Sequence, residues 1–363
     1  MSAKRPILTA LWVIVACGLP ALLLWWCFRD VDLDRLTESI GRVRWGLLAA
    51  GAAIVSAVQL MVACEWALLL PREKRIGFRR LLEAVNVMVM LQNSVHHFAG
   101  HAFAIYHLGH RQRVGKSVML SVLSMDQLAE ATARLLTWAF LALFIGLPAW
   151  AVGGVGTVFG LACVLYTVLI VCAWRHRDFQ VVRNPARLRG WARLRYHFSE
   201  WAHYLHGIRR AEIMLGAVAL AIGKKLARSV GVYCVQQSFG LDLPLYAPLL
   251  VVASLDLATM ISVTPGHLGI FEAALFFIYQ YLGLPPTEAM ILALFDHLVF
   301  ILGAVLPGCV VSARWGFRLR RDAPSPAASN SEPSRLSTNR QDSPAEPTSA
   351  RRIAAKQQAA RHS

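Results

Sequence analysis

The feature that most constrains this chain is a long apolar run, residues 245–282, interrupted in its middle by the stretch SVTPGHLGIFE at residues 262–272. Pro265 lacks a backbone N–H and disfavours helical angles at the preceding residue, and the two nearby glycines tolerate angles that other residues resist. In lipid, backbone groups freed in this way must be met by protein or by a water-filled cavity. The run therefore predicts a helix that enters a membrane, breaks near Pro265 and returns, with Glu272 early in the returning arm. A single proline-kinked span with a glycine packing face is the alternative.

The composition indicates an all-α polytopic membrane protein. The 363 residues are 56% hydrophobic with a mean hydropathy of +0.48, which is far from a soluble domain. Lys and Arg exceed Asp and Glu by 16 (37 − 21). In a membrane protein such an excess belongs to cytoplasmic loops, and no nucleic-acid motif accompanies it. Nucleic acid is therefore not an expected partner.

The alternation of apolar segments and basic loops predicts about six full spans, at residues 7–28, 46–70, 117–146, 150–173, 211–238 and 288–312. Basic stretches flank residues 81–109 on both sides, so if both flanks are cytoplasmic this segment cannot cross and forms a hairpin. The flanks of the hairpin at residues 246–283 lack Lys and Arg and are expected outside. Two re-entrant helical hairpins of opposite orientation form an inverted repeat, a frequent arrangement in secondary transporters.

The membrane domain is expected to cover residues 1–315, in the inner (plasma) membrane with both termini cytoplasmic. Its loop at residues 174–210 carries nine arginines and an apolar helical face, which predicts an amphipathic helix resting on anionic headgroups. Residues 316–363 are rich in Pro, Ser, Ala and Arg without apolar periodicity. This composition predicts a disordered basic cytoplasmic tail.

Ionisable side chains inside the predicted spans cost about 2.5–3.5 kcal/mol each, so they persist only when they are paired or face a cavity. Asp126, Glu130 and Arg134 recur at i, i+4 and i+8 and share one helical face. A purely structural Glu130–Arg134 pair is the alternative. The other charges of this kind are Glu65, Lys224, Lys225, Arg228, Asp256, Glu272 and Asp296.

Three cations, Lys224, Lys225 and Arg228, lie 14 to 18 residues into their predicted span. Near the middle of a membrane they would suit a phosphate headgroup. The alternative is that they form structural ion pairs with Asp126, Asp256 or Asp296. The residues themselves leave both possibilities open.

Histidines gather at the first predicted hairpin, at His96, His97 and His101. His97 and His101, at i and i+4, could chelate a metal, but no carboxylate or cysteine shares the pattern. Histidines that line a wet cavity or titrate during transport are favoured, and neither a metal nor a cofactor is expected. His267 and His297 form a second pair near the other hairpin.

The sequences PGHLGIFE at residues 265–272 and LGLPPTEA at residues 282–289 resemble the lysylphosphatidylglycerol synthase transmembrane-region family, also called flippase-like domains. The resemblance covers about residues 5–315. It implies two re-entrant helix pairs, and lipid translocation between leaflets or an accessory role in lipid modification. The soluble aminoacyltransferase domain of bifunctional members is missing, so lysyl transfer is not expected. His267 replaces a family glycine, and Gln127 stands where the family usually has an arginine.

The main hypothesis is a lipid flippase or lipid-linked carrier for a phospholipid-like or polyprenyl-type amphiphile, not an enzyme. The headgroup would enter a cavity between the hairpin tips, with phosphate at the three cations and proton or cation coupling at Asp126, Glu272 and Asp296. The remaining candidate site residues are Pro265, Gly266, His267, Gly269, His97 and His101. An accessory subunit of a lipid-modifying or glycosyl-transferring enzyme is the second hypothesis. A metal-dependent membrane enzyme that uses the clustered histidines is the third.

Overall fold

The computed structural model describes residues 22–29, 31–32, 34, 38, 41, 43–145, 149–176, 190–205, 210–260 and 264–321. These residues are helical or loop, without a β-strand. After a short helical stretch at residues 22–28 the helices are α1 (Trp45–Leu69), α2 (Phe78–Ser94), α3 (His97–Tyr106), α4 (Lys116–Phe144), α5 (Ala149–Arg175), α6 (Trp191–His203), α7 (Ala211–Ser238), α8 (Ala247–Ala258), α9 (Ile270–Tyr281), α10 (Pro286–Ala304) and α11 (Leu306–Arg321). The all-α prediction is therefore confirmed for this part of the chain.

Buried apolar side chains form two separate cores. The first-hairpin core joins α2 and α3 to the last part of α1, the first half of α4, the end of α5 and the start of α7. The second-hairpin core joins α8, α9 and α10 to the start of α1 and the ends of α4 and α7. Each hairpin thus packs in a core of its own, and α1, α4 and α7 run through both.

The two cores fix the directions of the central helices. α1 runs from the second-hairpin core to the first, whereas α4 and α7 run from the first to the second. Glycines let α1 and α7 approach closely: a Cβ added at Gly223 would lie 2.5 Å from Met61, and one at Gly231 would lie 3.0 Å from Val55. Small residues at such crossings are typical of helix packing in membranes.

The two hairpins approach the centre of the protein from opposite ends. α2 starts in the first-hairpin core and α8 starts in the second. α3 folds back along α2, since a Cβ added at Gly100 would lie 2.4 Å from the carbonyl oxygen of Met88. The connection between α8 and α9 touches the end of α2, where a Cβ added at Gly266 would lie 3.3 Å from the carbonyl oxygen of Asn93.

Two helical stretches in the described part are long and apolar enough to cross a bilayer, Trp45–Leu69 and Pro286–Gly316, with mean hydropathies of 2.2 and 2.3. α4 and α7 are of similar length, but each carries three charged side chains in its interior. α8 and α9 have 12 residues each, about 18 Å of helix, too short for a hydrocarbon core about 30 Å thick.

Several element bounds differ from the predicted ones. α8 ends at Ala258, seven residues before Pro265, and a 3₁₀ turn covers Pro265–His267. The side-chain hydroxyl of Thr259, the first residue after α8, donates to the carbonyl of Leu255 at 2.7 Å. α11 continues to Arg321, into the stretch predicted as tail. Most of the first predicted span and the tail from residue 322 lie outside the described residues.

Candidate functional site

A cavity of about 440 Å³ lies between the two cores and is bounded by the ends of both hairpins. The first hairpin contributes Gln92, Asn93 and His101, and the second contributes Asp256 and Thr259. The walls come from α1, α4, α7 and α10, and their polar lining residues are Gln59, Asp126, Gln127, Glu130, Arg134, Lys224, Arg228 and Asp296. Charged side chains and side-chain amides therefore line a partly open cavity in a largely apolar helical protein.

Lys224 is the centre of a buried ion network at one wall of the cavity. Its Nζ donates to Glu65 Oε2 at 2.5 Å, contacts Glu130 Oε1 at 2.6 Å and lies 3.9 Å from Asp126 Oδ1. Side-chain exposure is 3% for Lys224 and 0% for Glu65. Because buried charges persist when they are paired, this lysine holds α1, α4 and α7 together.

Lys225 extends the same network to the second hairpin. Its Nζ contacts Asp256 Oδ2 at 2.5 Å and Glu130 Oε2 at 3.2 Å, and its side chain is 2% exposed. Arg228, one turn further along α7, lies 3.7 Å from Asp256 Oδ1 and is 36% exposed. The structure thus places all three cations in ion pairs, as the structural alternative proposed, although that alternative did not name Glu65 and Glu130 as partners. Arg228 is the most exposed of the three and lines the cavity.

Asp126 accepts hydrogen bonds from two neutral donors and also lies near the ammonium group of Lys224. Trp66 Nε1 donates to Asp126 Oδ1 at 3.2 Å and Gln127 Nε2 donates to Oδ2 at 3.1 Å. Glu130 forms its ion pairs with Lys224 and Lys225, not with Arg134, among the described residues. The predicted shared face of α4 is confirmed, since Asp126, Glu130 and Arg134 all line the cavity.

The break in the second hairpin depends on backbone angles that favour glycine. Gly266 has φ 66°, Gly269 has φ 79° and His267, unusually for a residue with a side chain, has φ 58°. Glu272 closes the turn, because its Oε2 accepts from the backbone N–H of Gly269 at 2.7 Å. This carboxylate caps the start of α9, where a negative charge also stabilises the helix dipole.

Glu272 also binds His297 on α10. His297 Nδ1 donates to Glu272 Oε1 at 2.5 Å, and its ring stacks on Phe271 with the centroids 4.2 Å apart. His267 is buried and lines the cavity. The predicted His267 and His297 pair thus belongs to the structured turn at this end of the cavity, and the side chain of Pro265 lies outside the described ones.

Asp296 on α10 lines the cavity and accepts a hydrogen bond from a neighbouring tyrosine. Tyr279 Oη donates to Asp296 Oδ2 at 2.5 Å, and Gln236 Nε2 donates to the tyrosine oxygen at 3.4 Å. All three residues are buried. This chain of hydrogen bonds connects α7, α9 and α10 next to the cavity.

The histidines of the first hairpin have separate roles in the structure. The amide nitrogen of Gln92 donates to His101 Nε2 at 2.8 Å, and His101 lines the cavity. His96 caps α3, its Nδ1 accepting from Phe98 N at 3.3 Å. The side chain of His97 is not among the described ones. Within the described residues, no group of three or more His, Cys, Asp or Glu side chains could hold a metal ion.

Several residues that line the cavity were not predicted from the sequence. Gln59 and Trp66 are seven residues apart on α1 and both line the cavity. This spacing of two helical turns places them on one face of the helix and could have identified them in the sequence. Glu65 was recognised as a charge within a span, but its partner is 159 residues away. Gln92 and Asn93 carry no charge and so gave no such signal.

The fold and the site together define a helical membrane domain with a charged cavity between two opposed hairpins. The family model described as "Lysylphosphatidylglycerol synthase TM region" matches residues 9–308. The chain therefore belongs to this family, a membrane domain linked to lipid modification or flipping, and the resemblance seen in the sequence is confirmed. No curated protein and no solved structure matches the chain.

Proposed function

We propose that the protein moves a phospholipid-like or polyprenyl-type amphiphile between the leaflets of the inner membrane, as a carrier and not as an enzyme. The observation that supports this is the cavity of about 440 Å³, whose polar lining comes from both hairpins and from four long helices. Polar and charged groups inside a membrane domain mark substrate and ion pathways. A headgroup would occupy the cavity while its acyl or prenyl chains remain in lipid.

The proposed membrane arrangement has about six full spans and two re-entrant hairpins that enter from opposite faces. Two facts support it: the hairpins start in cores at opposite ends of the protein, and α8 and α9 are too short to cross separately. Alternating access would then be a rocking of one repeat against the other. The carboxylates proposed for proton or cation coupling are Asp126 and Asp296, which line the cavity, and Glu272, which is bonded in the turn of the second hairpin.

The test is lipid transfer by the purified protein in liposomes. Fluorescent phospholipid in the inner leaflet should become accessible to an external quencher faster than in protein-free liposomes. Met260→Trp should slow transfer, because Met260 lines the cavity and is 44% exposed. Leu143→Trp is the matched control, since Leu143 is 81% exposed and does not line the cavity.

Equal transfer by Met260→Trp and by the wild type would contradict transport through this cavity. Absence of transfer by the folded wild-type protein for both phospholipid and polyprenyl-phosphate probes would favour the accessory-subunit hypothesis instead. In that case a lipid-modifying enzyme would be the expected partner.

We further propose that α6 rests on the anionic cytoplasmic surface of the membrane. Trp191, Leu194 and Phe198 are exposed on it, and residues 174–210 carry nine Arg against two acids, a combination that favours anionic headgroups. The helix is anchored to α4, because the hydroxyl of Ser121 donates to the carbonyl of Trp201 at 2.7 Å.

A further inference from the structure

Arg134 differs from the other cations of the cavity. It is half-buried and lines the cavity on the same face of α4 as Asp126 and Glu130. Its Nε is buried without a hydrogen-bond partner. Lys224 and Lys225 each have a carboxylate oxygen at 2.5 Å, whereas no ion pair involves Arg134 in the described part of the chain. A buried guanidinium N–H without a partner is costly unless a ligand or water meets it.

Arg228 lies at the same level of the cavity as Arg134. α4 and α7 run in the same direction between the two cores. Arg134 is one turn, about 6 Å, beyond Glu130, and Arg228 is one turn beyond Lys224. Both arginines are therefore displaced from the ion network toward the second-hairpin core, and Arg228 has only the 3.7 Å contact with Asp256.

The charges around this position nearly balance without a ligand. Four carboxylates (Glu65, Asp126, Glu130 and Asp256) face three paired cations (Lys224, Lys225 and Arg228), and Arg134 makes the count four against four. Asp296, the other carboxylate at the cavity, is bonded by the neutral hydroxyl of Tyr279 and brings the count to five carboxylates against four cations. An anion at Arg134 is therefore not opposed by a large negative excess.

We propose that Arg134, with Arg228 as the second cation, binds the phosphate group of the transported amphiphile at the end of the cavity nearer the second-hairpin core. A guanidinium offers a planar set of five donors that matches phosphate oxygens in a bidentate manner. Of the three cations predicted to bind phosphate, Lys224 and Lys225 belong to the framework, whereas Arg228 stays in the site and Arg134 joins it. This assignment rests on the proposed function.

The experiment is a binding titration of purified protein in detergent with three probes. They are a short-chain phosphatidylglycerol, the matching diacylglycerol without phosphate, and inorganic phosphate. Arg134→Gln should weaken phosphatidylglycerol binding at least about tenfold, the effect of one lost charged hydrogen bond, and Arg134→Lys less. Arg79→Gln is the control, because Arg79 is 79% exposed in an i,i+4 pair with Glu83 on α2.

Unchanged phosphatidylglycerol affinity in Arg134→Gln, or equal binding of the diacylglycerol by the wild type, would overturn the proposal. Binding of inorganic phosphate but not of the lipid, lost in Arg134→Gln, would support the anion site while contradicting lipid transport. The anion site at Arg134 and the proposed lipid transport can thus be refuted separately. If Arg134→Gln does not fold, Arg228→Gln replaces it, with the same expected weakening.

Discussion

Replacing Lys224 by methionine should destabilise the protein severely although no apolar contact is lost. The substitution removes the ammonium group that contacts Glu65 and Glu130 at 2.5 and 2.6 Å. It leaves four network carboxylates against two cations, Lys225 and Arg228. Removing one partner of a buried ion pair costs about 3–5 kcal/mol, because the other charge stays buried and uncompensated. With an unfolding entropy of about 2.1 cal/mol/K per residue, a chain of 363 residues converts this loss into a fall in Tm of roughly 4–7 °C.

The second variant in this test combines Lys224→Met with Glu65→Leu. The network then has three carboxylates against two cations, the same excess of one as four against three in the wild type. Well-packed apolar replacements of a buried pair are often neutral or stabilising. We therefore expect the double variant to recover most of the lost Tm, a non-additivity that reports the pair itself.

Thermal unfolding followed by tryptophan fluorescence in detergent is the assay, with all variants in the same lipid–detergent mixture. A Tm of Lys224→Met within about 2 °C of the wild type would refute the account of the network as framework. So would a double variant whose Tm loss equals the sum of the two single losses.

Three other predictions concern a close helix contact, a buried hydrogen bond and the surface helix α6. Gly308→Ala should destabilise the protein by about 1–3 kcal/mol, because the added Cβ would lie 2.4 Å from the carbonyl oxygen of Asn86. The control Gly156→Ala has open space around it and should be neutral or slightly stabilising. Equal Tm changes of the two variants in a thermal melt would contradict the close approach at Gly308. Tyr279→Phe removes the donor to Asp296 and should lower stability by about 1–3 kcal/mol in the same assay; an unchanged Tm would show that the bond is replaced. Trp191→Ser should raise the hydrogen-exchange rate of α6 in anionic but not in zwitterionic nanodiscs, and equal rates in both would contradict surface binding.

Much of the fold could be predicted because charge and hydropathy report local structure. α7 has the bounds predicted for it, Ala211–Ser238, and the first-hairpin helices overlap the predicted segment 81–109. The exact break of the second hairpin could not be predicted from Pro265 alone. α8 already ends at Ala258, seven residues before the proline, and the left-handed backbone angles that shape the turn lie at Gly266, His267 and Gly269.

Which residues form ion pairs within the site depends on contacts between helices that are far apart in the sequence. Periodicity placed Asp126 and Arg134 on one face, and both line the cavity. Whether Lys224 would bind a ligand or an acid depended on Glu65, which α1 brings to it from 159 residues away. Residue type and spacing therefore identified the charged region, but only three-dimensional contacts separate framework charges from those open to a ligand.

The account depends most directly on two opposed re-entrant hairpins, and cysteine accessibility tests that. Single cysteines at Glu73 and Arg111 flank the first hairpin, and those at Leu245 and Glu288 flank the second. All four positions are exposed, and each variant retains no other cysteine. We expect an impermeant reagent to label Glu73→Cys and Arg111→Cys from one side of the membrane, and Leu245→Cys and Glu288→Cys from the other. Labelling of Leu245→Cys and Glu288→Cys from opposite sides would make the second hairpin an ordinary kinked span and contradict the account.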